Sequence, residues 1–103
     1  MAVDISLYRV DQPGTSPRRR KLTLLGSYSD RGDVLAEACA ATSLPMMVRV
    51  KPYGSLVLLP GDMEQFVDEL RELQLEPSAK AEILALARAC AADQNTELHL
   101  DGD

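Results

Sequence analysis

The chain has 103 residues, 46% of them hydrophobic, 26% charged and 4% aromatic, with 11 Lys and Arg against 16 Asp and Glu for a net charge of −5. That is enough chain for one hydrophobic core and one domain over 1–103. It excludes a membrane span, which needs about 20 successive apolar residues, and it argues against nucleic acid, whose phosphates call for a basic surface.

The opening Met1-Ala2-Val3-Asp4 lacks the basic flank and long apolar stretch of a secretory signal, so the expected address is cytoplasmic. Eight Arg to three Lys, abundant Ala and scarce Ile and Asn suit a bacterial genome rich in G and C.

Val3, Ile5 and Leu7 alternate with Asp4, Ser6 and Tyr8, which predicts a strand over 2–10 with one apolar and one polar face. Asp11 to Pro17 holds two prolines and a glycine and reads as a loop. The basic run Arg18-Arg19-Arg20-Lys21 leads into a second strand over 22–25 that enters Gly26 and pairs antiparallel with the first. A short Ala-rich helix over 32–42 follows, with Ser29, Asp30 or Asp33 as its cap, and Pro45 bars its continuation.

Met46–Val50 and Ser55–Leu59 then read as a hairpin joined by the turn Lys51-Pro52-Tyr53-Gly54. Pro60-Gly61 breaks the second strand. Asp62 with Gln65 three residues on predicts a capping box for an amphipathic helix over 62–74, buried through Met63, Phe66, Val67, Leu70 and Leu73. Pro77 opens a further helix with Ile83, Leu86, Ala87 and Cys90 inward, ending near 93–95. Glu97-Leu98-His99-Leu100 closes the pattern as a strand, with a polar tail over 101–103. The order β-β-α-β-β-α-α-β predicts an α+β fold with a five-stranded, largely antiparallel sheet against three helices. A homodimer through a sheet edge is a further expectation, with the last strand as the candidate edge.

Three constellations invite a chemical reading. The run Arg18, Arg19, Arg20 and Lys21 is the densest positive block; without it the chain keeps seven bases against sixteen acids. It serves either as a solvated strand end or as the contact for a small anionic ligand, although no Gly-rich cradle accompanies it. The helix over 62–74 and its continuation carry Asp62, Glu64, Asp68, Glu69, Glu72 and Glu76 against Arg71 alone. Like charges four apart on a helix cost a few tenths of a kcal/mol, so a run of them either faces solvent or faces a basic partner.

His99 with Glu97 and Asp101 shares one strand face, a trio able to act as base and orienter beside a nucleophile such as Ser6 or Ser27, or to hold a metal with further ligands. Against these stand the plainer readings: a partly exposed terminal His, two buried inert thiols at Cys39 and Cys90, and Met46 and Met47 as core fillers. No Ser-His-Asp order, GxSxG elbow, P-loop, GxGxxG or HExxH is present. The sequence thus leads to a small acidic, non-catalytic protein-binding or inhibitor/immunity-type module without cofactor or metal. Asp68, Glu69, Glu72 and Glu76, with the hairpin-tip Tyr53, would contact a basic protein; the alternative is a regulatory domain taking an anion at Arg18–Lys21.

Overall fold

The computed structural model describes residues 2–11, 20–51 and 53–102. Four strands, β1 (Val3–Asp11), β2 (Lys21–Tyr28), β3 (Ser55–Leu58) and β4 (Thr96–Gly102), and three helices, α1 (Val34–Ala41), α2 (Met63–Glu72) and α3 (Pro77–Ala92), form an α+β fold. The sheet is antiparallel throughout, in the order β2-β1-β4-β3.

Alternation sets the two sheet faces. Val3, Ile5 and Leu7 of β1, Leu98 and Leu100 of β4, and Leu56 and Leu58 of β3 are buried beneath the helices. Asp4, Ser6 and Tyr8, with Glu97 and His99, point to the opposite face, which no described helix covers, because side chains opposite one another in a ladder share a side. Against β1, Leu7 faces Gly26 but Tyr8 faces Leu24, so Leu25 is the extra residue of a β-bulge. Gly26 lies under α3: a Cβ there would stand 2.9 Å from Leu86 Cδ2, the end of a side chain that would have to swing aside.

α2 buries Met63, Phe66 and Leu70, and α3 buries Ala79, Ile83, Ala87 and Cys90, spacings of three and four that keep one stripe inward. The small residues of that stripe let α3 settle against β1, β2 and β4 while α2 packs on α3. Buried Thr96 closes the C-terminal end of α3, its hydroxyl lying 3.1 Å from the Cys90 carbonyl and 2.7 Å from that of Asp93.

Asp30 caps α1 from a distance. Its carboxylate accepts the N–H of Leu35 (2.9 Å) and Ala36 (3.0 Å) and, across the chain, that of Val3 (3.2 Å). Reaching back requires a tight turn, and Gly32 (φ 70°) and Asp33 (φ 58°) supply left-handed backbone. Of the three residues read as caps, Asp30 therefore does the capping.

The five-strand expectation fails at one segment. Met46–Val50 is not a strand: Met47–Arg49 is a 3-10 turn, and Ser55–Leu58 pairs with β4 instead. Met46, Met47 and Val50 are buried while Val48 and Arg49 are exposed, a helical spacing rather than a period of two. Gly54 N–H donates to the Lys51 carbonyl (3.3 Å) ahead of β3, while Pro52 of the expected turn lies outside the described residues. The last strand is not an edge either, since β4 lies between β1 and β3. Nor does the predicted capping box form: the Asp62 carboxylate accepts the N–H of Leu59 (2.8 Å), and Gln65 turns to Glu69.

Candidate functional site

The amphipathic logic that buries Met63, Phe66 and Leu70 sends the opposite side of α2 outward. Glu64, Asp68 and Glu72, each four residues from the next, form one exposed line along the helix, and exposed Glu76 continues it beyond the C-terminus. Arg71 also lies exposed but forms no ion pair with a described carboxylate; its carbonyl accepts from the Lys80 ammonium (2.8 Å). The line thus forms no ion pair among the described residues, with Arg71 and the Lys80 ammonium as its nearest bases.

Glu69 does not belong to that surface. It is 5% exposed, and its carboxylate accepts the N–H of Met46 (2.9 Å) and Met47 (3.0 Å) and the Gln65 amide (2.7 Å). It sits at the start of the 3-10 turn over 47–49, holding two backbone donors that a strand would have paired with a neighbour. The other expected contact residue, Tyr53, is 72% exposed in the turn before β3, on a different element from the acidic line.

Of the basic run, Arg18 and Arg19 lie outside the described residues, Arg20 is ion-paired with Glu97, and Lys21 begins β2 with its side chain exposed. Glu97 also takes His99: Nε2 lies 3.0 Å from Glu97 Oε1, and since an ionised carboxylate can only accept, Nε2 carries the proton. The ring meets Tyr8 edge-on, centroids 4.8 Å apart. Arg20, Glu97, His99 and Tyr8 thereby form one small polar network on the uncovered sheet face. Asp101, the third member of the expected trio, instead accepts the Ser55 hydroxyl across the β3–β4 pair. Ser6 stands opposite His99 in β1, and Ser27 opposite Ser6 in β2, but neither hydroxyl is hydrogen-bonded to the imidazole.

A groove of about 360 Å³ opens between the end of β2 and the first turn of α3, lined by Ser27, Tyr28, Arg31, Glu76, Ser78 and Glu82 among others. Burial raises the Tyr28 phenol above its ordinary value, Asp30, Glu82 and Glu76 add to the rise, and Arg31 opposes it. Two carboxylates against one guanidinium leave the groove net negative.

Comparison with models of protein families, with curated proteins and with solved structures returns no match.

Both thiols are buried and unpaired. Burial, with a lesser push from Asp30, raises Cys39 to about 11, and burial likewise raises Cys90 against the lowering hydrogen bond of Thr96. Thiols held protonated in this way are poor nucleophiles. Among the described residues, no group of three or more His, Cys, Asp and Glu is placed to hold a metal ion, and no helix is long and apolar enough to cross a membrane. Asp30, one of the three expected caps, also takes the N–H of Val3; the role of Glu69 is not legible in the sequence, because its donors Met46 and Met47 lie 23 and 22 residues away.

Proposed function

We propose that the chain is a non-catalytic protein-binding module, bacterial and cytoplasmic, that docks the outer face of α2 on a basic surface of another protein. One observation carries this reading: Glu64, Asp68 and Glu72 stand in an exposed line at four-residue spacing with no ion-pair partner among the described residues. Each adjacent like-charge pair costs a few tenths of a kcal/mol in the isolated chain, and a basic partner turns that cost into attraction. Such a face raises association rates and fixes orientation more than it adds affinity. Glu76 extends the face, while buried Glu69 lies off it and holds the 47–49 turn.

The test replaces Glu64, Asp68 and Glu72 together by Gln, Asn and Gln and measures retention on a panel of immobilised basic proteins at low and high salt. Wild-type chain should be retained by a subset, and both the triple substitution and raised salt should weaken that retention by tenfold or more. Retention indifferent to both changes, or none at low salt, overturns the proposal.

A further inference from the structure

The two edges of the sheet are unlike. β3 is 4 residues long and bounded by Gly54 and Pro60, which suits an edge that ends pairing. β2 runs for 8 residues, and no described residue hydrogen-bonds to its outer side. It carries Leu22, Leu24 and Leu25 at 45%, 56% and 44% exposure, and Lys21 is its one charged residue. Long, apolar and nearly uncharged edge strands attract another strand unless something covers them.

We propose that β2 pairs antiparallel with β2 of a second copy about a two-fold axis at Thr23, fusing two four-stranded sheets into one. Residues that face each other across a ladder must point to the same side, and Leu22 and Leu24 share the uncovered face, opposite Val10 and Tyr8 respectively. An axis at Thr23 sets Leu22 of each copy against Leu24 of the other, so four leucines meet in one cluster, with Thr23 against Thr23 beneath them on the helix side. Pairing then spans residues 21–25 and stops at the bulge.

Charge singles out a second copy as the occupant. Lys21 lies on the helix side, opposite Asp11, and forms no ion pair with a described residue. The other end of β2 borders the groove where Glu76 and Glu82 outnumber Arg31, also on the helix side. Antiparallel pairing brings the Lys21 end of each copy to the acidic end of the other, and the two-fold makes that match twice. The acidic line on α2 stays clear of the seam, because α3 covers β2.

The experiment is the solution mass of the full chain over a dilution series, by sedimentation equilibrium. Twice the chain mass of 11.2 kDa should appear at high concentration and dissociate on dilution. Leu24→Lys should weaken association at least tenfold, whereas Val57→Lys, equally solvent-facing on the opposite edge, should leave it unchanged. Lys21→Glu should weaken association, and adding Glu82→Lys should restore it. Should Leu24→Lys alter the far-UV circular dichroism, Leu22→Lys takes its place. A mass of 11.2 kDa at every concentration overturns the proposal. So does a dimer that survives the β2 substitutions, one that Val57→Lys breaks, or a charge reversal without rescue.

Discussion

Replacing Glu69 by Ala separates an internal support from a binding surface. In the native chain its carboxylate holds the N–H of Met46 and Met47, both residues buried, and the amide of Gln65. An alanine leaves two backbone donors with neither protein nor water to accept them, at about 1–3 kcal/mol each, so the expected loss is about 4 kcal/mol. Set against a total of about 5–15 kcal/mol for a domain of this kind, that is a large fraction.

Glu69→Gln keeps one carbonyl oxygen able to take both N–H groups, and should cost only about 1 kcal/mol, the charge-assisted part of the interaction. Urea unfolding followed by circular dichroism measures the difference; at a slope of about 1.3 kcal/mol per molar, the Ala variant should lose about 3 M in midpoint and the Gln variant under about 1 M. Exposed Glu72→Ala, one turn away, is the control and should stay within about 0.5 kcal/mol of wild type. An Ala variant no weaker than that control, or a Gln variant as weak as Ala, refutes the assignment of Glu69 as the support of the 47–49 turn.

Asp30→Ala should cost about 2–4 kcal/mol in the same assay, since it removes the acceptor of Leu35 and Ala36 at the start of α1 and of Val3 in β1; Asp33→Ala, whose side chain caps nothing in α1, should cost less. Gly32→Ala should lose about 1 kcal/mol from backbone conformation alone, because φ is 70° and the nearest atom to an added Cβ, Val34 Cγ2, is 3.9 Å away, ordinary contact. Cys39, raised from 9.0 to about 11 by burial, makes stability fall with alkali: its contribution is complete below the unfolded value and is lost as pH climbs through the folded one. The two units amount to roughly 3 kcal/mol at most, so urea midpoints should drop between about pH 9 and 11, and Cys39→Ala should flatten part of that drop.

How much of this was legible in the chain follows from the range of the forces involved. Alternation in Val3–Leu7 and the three- and four-residue spacing of Met63, Phe66 and Leu70 are local, and they placed β1 and α2 correctly. Met46–Val50 misled because a five-residue run with apolar ends satisfies a strand pattern and a helical turn alike; the deciding partner, Glu69, lies 23 residues from Met46. That same long-range hydrogen bond took Glu69 off the acidic face, where sequence spacing alone had put it. His99 and Glu97 were read together correctly, two residues apart on one strand face, but the draw of Ser55 on Asp101 comes from a strand pairing no local pattern reveals. Asp30 is among three candidate caps, and only the left-handed turn at Gly32 and Asp33 shows why it, and not the nearer Asp33, does the capping.

The position of β4 has a consequence for how the protein is made. It is the last of the four strands to leave the ribosome, yet it lies between β1 and β3 and pairs with both, Val3 meeting Gly102. While residues 96–102 are still being added, β1 and β2 can pair only with each other, and α3 lacks β4, one of the three strands it packs on. Bringing the two ends of the chain together costs about 4 kcal/mol in loop-closure entropy, beyond a constant term, before the sheet returns anything. Folding therefore waits for synthesis to pass Gly102 and proceeds through a late, non-local closure. A nascent chain stalled short of that point leaves Ile5 and Leu7 without their cross-strand neighbours Leu100 and Leu98, and the cell's chaperones and proteases would meet it in that state.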